Sequence, residues 1–408
     1  MDRGRPPDVT VVRDAGHSTM DEVLARELDT LERAGLRRVL RNVEDRRGAE
    51  VMLEGRKAVD FSSNDYLGLA GDPRLAEAAQ EQLHQGIGAA AARLLSGNHP
   101  LHVSLEAELA RFKGTERTLL FASGYAANLG AIPALVGKRD VIYADTLNHA
   151  SLIDATRLSR AEIRTFAHRD LAALRRMLEE DTGKFRRRLI VVDGVFSMDG
   201  DVFPLDQLAP LAREFGAWTY VDDAHATGVL GANGRGSAEY CGVEGEIDVI
   251  MGTLGKALGT TGAFVAGSAT VIEFLMNRAR AFVFTTGTPP VLAAATLAAL
   301  EIVRNEPWRR EQLRENARRL RHGLAAMGWP TDGADDGYII PVVIGETEKT
   351  MRVGTALREA GYLAGAVRPP TVPLGTSRLR LMVSAAHTPE QLDGLLLALR
   401  ETLPKRVS

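Results

Sequence analysis

Residues 189–200 read LIVVDGVFSMDG, an unbroken apolar run that ends in an aspartate and gives way to small and polar residues. Two further runs have the same form: WTYVD (218–222) is followed by DAH, and DVIM (248–251) is followed by GTLGK. Continuous rather than alternating apolar residues are typical of strands that are buried on both faces of a sheet. The three segments therefore predict neighbouring buried strands with polar residues just beyond their ends.

Four more apolar runs occur in the same part of the chain: TLLF (118–121), VIYA (141–144), IRTF (163–166) and AFVA (263–266). Segments with helical spacing, such as 170–180 and 206–215, lie between the runs. This alternation predicts an α/β fold with a large, mostly parallel sheet. Because ligands of such sheets bind beyond the carboxyl ends of the strands, the polar residues there are candidates for a functional site.

The chain divides into four predicted units, which are a flexible extension (1–19), an N-terminal helix and hairpin (20–60), a large domain (61–290) and a smaller C-terminal α+β domain (291–408). In the second unit we expect an amphipathic helix from Met20 to Arg41 and a hairpin turn at Glu54–Lys57. In the last unit we expect helices at 291–305 and 308–326 and β runs at 338–344 and 378–384.

The composition excludes several classes of protein. The 408 residues are 45% hydrophobic and 25% charged, which is ordinary for a folded chain and argues against disorder. With 50 Lys and Arg against 53 Asp and Glu, nothing favours nucleic acid as a partner. Cys241 is the only cysteine, so no disulfide within the chain and no metal site is expected. The longest apolar-rich stretch, 289–303, is too short to cross a membrane, and the sequence predicts a cytoplasmic protein.

Lys256 and Asp222 suggest a cofactor. Lys256 lies among glycines and alanines, where a bulky group can approach the backbone, and is a candidate Schiff-base lysine, although a lone lysine at such an edge is usually a solvated charge. Asp222 ends an apolar strand and needs a cationic or hydrogen-bonding partner. Pyridoxal phosphate (PLP) needs such a lysine and such an acid. FASGYAAN (121–128) could supply its phosphate site at a helix start, although a simple strand-to-helix turn has the same pattern.

Seven segments together carry a specific family resemblance: FSSNDYLGL (61–69), FASGYAAN (121–128), LNHASLID (147–154), GVFSMDGD (194–201), VDDAHATGVLG (221–231), TLGKALG (253–259) and RPPTVPLGTSRLRL (368–381). With them, the chain from about residue 20 onward resembles the α-oxoamine synthases. The resemblance implies the PLP-dependent transferase fold type I, with a seven-stranded sheet, and the condensation of an amino acid with an acyl thioester. It also implies a homodimer whose active site is completed across the subunit interface. The first and last segments favour the members that join L-alanine to a pimeloyl thioester, of CoA or a carrier protein, in biotin synthesis.

The resemblance also assigns roles to single residues. Lys256 would hold the cofactor and later act as acid and base, and Asp222 would pair with the ring nitrogen. His149 would stack on the ring, while Ser197 and His225 would lie near its phenolic oxygen. The remaining assignments are Gly124, Tyr125 and Thr253 for the phosphate, Thr285 and Thr286 for the phosphate of the neighbouring subunit, Arg380 and Asn64 for the amino-acid carboxylate, and Arg37 and Thr371 for the acyl substrate.

Two alternatives stay open. A sister α-oxoamine synthase, such as a glycine C-acetyltransferase, would share the fold, the cofactor and Lys256. The alanines at 89–92 and Ala226 depart from the pattern of many biotin-pathway members and leave the acyl specificity open. An NAD-dependent oxidoreductase is a weaker alternative, because Gly86-x-Gly88-x-x-Ala91 follows a helix-like segment rather than a strand. His102 and His168 are interpreted as ordinary surface or core histidines.

Overall fold

Helices and strands alternate along the chain, for which a computed structural model describes residues 18–331, 333–334 and 337–404. Most of the predicted extension, residues 1–17, lies outside this range. The helices are α1 (Met20–Arg33), α2 (Pro73–Glu81), a 3-10 turn (Leu83–Gln85), α3 (Pro100–Lys113), α4 (Gly124–Leu135), α5 (Ala150–Ser159), α6 (Leu171–Glu180), α7 (Leu205–Glu214), α8 (Ser237–Tyr240), α9 (Ala269–Arg278), α10 (Arg280–Val283), α11 (Pro290–Asn305), α12 (Trp308–Ala326), α13 (Thr347–Glu359) and α14 (Pro389–Thr402). The strands are β1 (Val43–Arg47), β2 (Glu50–Leu53), β3 (Arg56–Phe61), β4 (Arg117–Phe121), β5 (Val141–Asp145), β6 (Glu162–Phe166), β7 (Arg188–Asp193), β8 (Trp218–Asp222), β9 (Val249–Thr253), β10 (Ala263–Gly267), β11 (Ile339–Gly345), β12 (Tyr362–Val367) and β13 (Ser377–Met382).

The large sheet contains the seven strands that the apolar runs predict, in the order β4-β10-β9-β8-β7-β5-β6. β10 is antiparallel to both of its neighbours, and the other pairings are parallel. The predicted α/β fold with a mostly parallel seven-stranded sheet is confirmed. Because β5, β7, β8 and β9 run in the same direction, the polar residues that follow them meet at one edge.

Alternate residues of β7 show why the run at 189–193 is continuously apolar. Leu189 and Val191 belong to one buried cluster, whereas Ile190 and Val192 belong to another. Each cluster covers one face of the sheet, so both faces of the strand are removed from water. This double burial anchors the strand ends that carry the candidate site.

A second sheet has the order β1-β2-β3-β12-β13-β11 and joins the N-terminal hairpin to the C-terminal strands. The predicted hairpin is present as β2 and β3, and the expected β runs near 338–344 and 378–384 are β11 and β13. β12 was not predicted; it pairs in parallel with β3 and antiparallel with β13. This strand is half-buried and contains Gly365, so it lacks the continuous apolar pattern of the large sheet.

The first helix is shorter than predicted. α1 begins with a capping box between Thr19 and Glu22 and ends at Arg33 rather than at Arg41. Gly35, just beyond its end, has a φ of +64°, a conformation that glycine adopts at little cost and that terminates a helix. Among the described residues, no helix has the length and apolar character needed to span a membrane.

Candidate active site

Asp222 ends β8 and is nearly inaccessible to solvent. One carboxylate oxygen, Oδ1, accepts a hydrogen bond from the backbone N–H of Ala224 at 3.0 Å, and Oδ2 accepts one from Nδ2 of Asn128 at 2.8 Å. Burial raises the pKa of Asp222, and the nearby positive charge of Lys256 opposes that rise. Asp222 is therefore a buried carboxylate that a further cationic partner would stabilise.

Asn128 on α4 fixes that carboxylate. Its Nδ2 also donates to Oγ of Ser151 at 2.8 Å, and its Oδ1 accepts from the hydroxyl of Tyr220 at 2.8 Å. The amide is fully buried and uses both of its N–H groups. Asn128 is the last residue of the segment FASGYAAN, and no role was predicted for it because its partners lie far away in the sequence.

Lys256, His225 and Tyr66 form a line of polar groups. Nζ of Lys256 lies 2.9 Å from Nε2 of His225, and Nδ1 of His225 lies 2.6 Å from the hydroxyl of Tyr66. Burial is the largest cause that lowers the pKa of His225 well below its usual value, and the charge of Lys256 adds to it. Burial also lowers the pKa of Lys256 to about 8. The lysine can therefore supply a neutral amine near neutral pH, beside a neutral imidazole.

Arg380 on β13 reaches the same site from the second sheet. Its Nε donates to the carbonyl oxygen of Ser197 at 2.5 Å, and its Nη2 lies 3.4 Å from Oδ1 of Asn64. Asn64 in turn lies 3.3 Å from the hydroxyl of Tyr66. Arg380, Asn64 and Ser197, three residues that the sequence analysis picked from separate motifs, are therefore neighbours in the fold.

His149 lies at the start of α5, close to the Asp222 network. Its backbone N–H donates to Oδ2 of Asp193 at 2.7 Å, and its ring Nδ1 lies 2.7 Å from Oγ of Ser151. Ser151 therefore contacts both His149 and Asn128, which holds Asp222. Asp193 and Asp222 are register partners on adjacent strands, so this contact brings His149 to the same edge of the sheet.

Two of the three predicted phosphate residues lie at the start of α4. Gly124 and Tyr125 open this 12-residue helix, so its first N–H groups and its dipole favour an anion. Thr253, at the end of β9, donates its hydroxyl to the carbonyl of Gly262 at 3.1 Å. Tyr125 is exposed, and its hydroxyl donates to Asp154.

The residues present fit pyridoxal phosphate. Asp222 is a buried carboxylate that can accept a proton-bearing ring nitrogen, and Lys256 offers an amine that titrates near pH 8. The start of α4 supplies the N–H groups that a phosphate requires. Acid, amine and anion site are thus contributed by three separate elements of the large domain.

The structure also shows the surroundings of the other predicted substrate residues. Thr371 lies 3.4 Å from Nη2 of Arg38, and Arg37 forms an exposed ion pair with Glu32 at 3.3 Å. Arg37 and Thr371 line the same groove, together with Arg38 and Arg41. The sequence leaves open which of these three arginines contacts the acyl substrate, and all three lie in the groove. Thr285 is partly exposed and Thr286 is exposed. Thr286 forms an isolated antiparallel β-bridge with Ala92.

Residues 56–399 match the family described as aminotransferase class I and II. The chain belongs to the aminotransferase class I and II family. Curated relatives include the 8-amino-7-oxononanoate synthases of Geobacter metallireducens and Anaeromyxobacter dehalogenans. The first is 51% identical over 378 residues, which cover 91% of this chain and 96% of the relative. The second is 50% identical over 382 residues, with 93% and 95% covered.

Solved structures of family members superimpose well on this chain. A serine palmitoyltransferase from S. paucimobilis with a bound PLP-myriocin aldimine has a TM-score of 0.88 at 32% identity, with 93% of this chain and 96% of that chain covered. An 8-amino-7-oxononanoate synthase from Francisella tularensis has a TM-score of 0.73 at 28% identity, with 84% and 97% covered. The resemblance to the α-oxoamine synthases and the PLP fold type I are confirmed. The chain is thus a PLP-dependent acyltransferase of this family.

Proposed function

We propose that the chain condenses L-alanine with a pimeloyl thioester to give 8-amino-7-oxononanoate, CO2 and a free thiol. The observation that carries this proposal is the convergence of Lys256, Asp222 and Arg380 on one edge of the large sheet. The relatives that are about half identical over nearly the full chain support the choice of reaction.

Pyridoxal phosphate, when bound, supplies an aldehyde that condenses with amines and a protonated ring that takes up the electron pair left at Cα. Asp222 would pair with the ring nitrogen and Lys256 would hold the aldehyde carbon. Gly124, Tyr125 and Thr253 would serve the phosphate, with Thr285 and Thr286 contributed from the neighbouring subunit. His149 would cover the ring, while Ser197 and His225 would lie on the side of its phenolic oxygen.

Lys256 moves the proton at Cα of the amino acid. Its pKa of about 8 leaves a useful fraction of free amine near neutral pH, as a general base requires. His225, whose pKa is held low, stays neutral and orients the amine through the contact of 2.9 Å. Tyr66 fixes the imidazole from the other side.

Arg380 binds the carboxylate of the amino acid. Its guanidinium is held in place by the Ser197 carbonyl and lies within 3.4 Å of Asn64. A guanidinium is suited to this task because it can donate two parallel hydrogen bonds to a carboxylate.

The acyl donor fits the groove between the N-terminal segment and β12. This groove has a volume of about 510 Å³, and its described lining includes five arginines and no carboxylate. Those arginines are Arg37, Arg38, Arg41, Arg358 and Arg368. Glu32 pairs with Arg37 and Glu54 pairs with Arg41, so the positive charge of the lining comes chiefly from the other three arginines. This charge favours an acyl donor with a carboxylate or phosphate, such as a pimeloyl thioester of CoA or of a carrier protein.

A homodimer would place a second chain against the segment around Thr286. Thr286 forms an isolated β-bridge with Ala92. Three apolar side chains that lie close in sequence to one or the other of these two residues are exposed to solvent. They are Ile87 (65% exposed), Leu95 (81%) and Phe284 (71%). Exposed apolar clusters of this kind are typical of protein interfaces. The cytoplasmic location and the boundaries of the four units remain predictions.

Thiol release by the purified, cofactor-loaded enzyme tests the function. Pimeloyl, acetyl, succinyl and palmitoyl thioesters are each combined with L-alanine, glycine or L-serine, and the Lys256→Ala variant serves as the control. Release confined to the pimeloyl thioester and L-alanine supports the proposal. Preference for acetyl thioester and glycine would move the enzyme to a glycine C-acetyltransferase, and no release from any pair would contradict the reaction class.

A further inference from the structure

His168 connects two carboxylates beyond the end of β6. Its Nδ1 lies 3.1 Å and 3.2 Å from the two carboxylate oxygens of Asp145, and its Nε2 lies 2.7 Å from Oδ2 of Asp201. The ring also meets Phe196 edge-on at 4.3 Å. No role was predicted for His168, because its partners are 23 and 33 residues away in the sequence.

Both carboxylates act as acceptors. Asp145 accepts backbone N–H groups from Leu147 and Arg169, each at 2.8 Å, and Asp201 is paired with the guanidinium of Arg169 at 3.2 Å. A neutral imidazole has one N–H and can donate to only one of them. Two acceptors on opposite ring nitrogens therefore call for the imidazolium form of His168.

Asp201 belongs to the loop 196–203, which follows β7 and turns tightly back on itself. The backbone N–H of Phe196 donates to the carbonyl of Asp201 at 3.0 Å, and that of Gly200 donates to the carbonyl of Phe196 at 2.8 Å. Gly200 has a φ of +75°, and a Cβ there would collide with the carbonyl of Ile339 on β11. The loop therefore packs directly against β11 at Gly200, between the two sheets.

The same loop holds the arginines of β13. The carbonyl of Ser197 accepts from Nε of Arg380 at 2.5 Å, and Asp199 is paired with Arg378. The loop 196–203 is therefore held at Asp201 by His168 and at the Ser197 carbonyl by Arg380. If the contact between His168 and Asp201 is lost, we expect the Ser197 carbonyl to shift and the Arg380 guanidinium to shift with it.

We propose that the His168 imidazolium is a positioning residue that holds the loop 196–203 and, through the Ser197 carbonyl, aims Arg380 at the amino-acid carboxylate. This role rests on the proposed function of Arg380. Loss of the imidazolium charge should weaken binding of the amino acid more than it slows the chemical step.

The charges around the ring support the protonated form. Burial alone would lower the pKa of His168, but the hydrogen bonds to Asp145 and Asp201 outweigh it and raise the pKa to about 9. The charged groups that face the ring are Asp145 from β5, Asp201 from the loop and the neighbouring Arg169. The hydrogen bonds from the His168 imidazolium to Asp145 and Asp201 are therefore expected to persist through neutral pH. They should weaken as the pH rises above 9.

The test compares His168→Gln, which keeps one donor without charge, with His168→Arg, which keeps a cation with several donors. His84→Gln is the matched control, because the His84 ring is exposed and contacts only the carbonyl of Glu81 among the contacts the structure gives it. In thiol-release assays we expect His168→Gln to raise KM for the amino acid about tenfold and to change kcat less than about threefold. His168→Arg should return KM to within about threefold of the parent.

Two further readouts do not depend on turnover. In the first, the holoenzyme is titrated with L-alanine alone and followed by its visible spectrum. The parent and His168→Arg should bind L-alanine more tightly than His168→Gln does. With imidazole-¹⁵N-labelled protein, one histidine should keep both ring nitrogens protonated at pH 7.5, and its signal should be missing from His168→Gln. If His168→Gln does not fold, Asp201→Asn should weaken amino-acid binding in the same way.

Unchanged amino-acid affinity in His168→Gln, or a neutral imidazole at pH 7.5, would overturn the proposal. So would a His168→Arg variant that binds as weakly as His168→Gln. If the parent enzyme binds L-alanine but releases no thiol from any donor, the proposed function fails. The binding titration then still tests whether His168 positions Arg380.

Discussion

Replacing Tyr66 by phenylalanine removes one hydroxyl from the line that reaches Lys256. That hydroxyl lies 2.6 Å from Nδ1 of His225, in a fully buried position. The ring packs edge-on against Tyr338 at 4.7 Å, and phenylalanine would keep this contact. The substitution therefore removes a hydrogen bond while leaving the surrounding packing in place.

The expected effect has two parts. A buried ring nitrogen left without its partner costs about 1–3 kcal/mol of folding free energy. In addition, we infer that the Tyr66 hydroxyl gives its one proton to Nδ1 of His225, at 2.6 Å, rather than to Oδ1 of Asn64, at 3.3 Å. This keeps the imidazole proton on Nε2, which faces Lys256. Without this donor, Nε2 can accept a hydrogen bond from the lysine ammonium. Because about 1.4 kcal/mol corresponds to one pKa unit, we expect the pKa of Lys256 to rise from about 8 to about 9.

The assay measures how fast acetic anhydride modifies Lys256 of the cofactor-free chain across pH, with peptide mapping to isolate that lysine. Tyr143→Phe is the matched control. The Tyr143 hydroxyl is also buried, but it donates to Asp181 at 3.0 Å rather than to His225 or Lys256. Both variants should lose similar stability in urea, but only Tyr66→Phe should move the lysine midpoint upward. A midpoint that stays near pH 8, or falls, in Tyr66→Phe would show that the hydroxyl does not set the imidazole tautomer.

Three further outcomes follow from the site. Lys256→Ala should abolish the cofactor adduct that borohydride reduction traps, as read by mass spectrometry; a retained adduct at another lysine would contradict the assignment. Asp222→Asn should keep part of the cofactor but lower kcat at least about a hundredfold, measured as thiol release, and near-normal turnover would refute its role. For His168, whose pKa is raised to about 9, the ionic contribution to stability is complete below about pH 6.5 and is lost as the pH rises through 9. After allowance for its partial exposure this is about 1–2 kcal/mol, so the difference in urea midpoint between the parent and His168→Gln should shrink from pH 7 to pH 10.

The large sheet was predictable because its signal is local. Leu189 to Val192 are apolar on both faces of the strand, and the structure buries both faces. Strand β12 was missed because its residues are only half-buried and its pairing with β3 joins segments about 300 residues apart. The end of α1 was misplaced because apolar spacing continues to Leu40, although the backbone turns at Gly35.

The local sequence was enough to predict which chemical groups follow each strand. Asp222 ends one buried run and Lys256 follows another, and such a position relative to a strand depends on near neighbours in the sequence. The tertiary structure decided which groups touch: Asn128 reaches Asp222 across 94 residues, and Arg380 reaches Ser197 across 183. Such contacts depend on the order of the strands and on how the two sheets pack. A local pattern carries no record of either, so the hydrogen bonds that hold the site appear only in the folded chain.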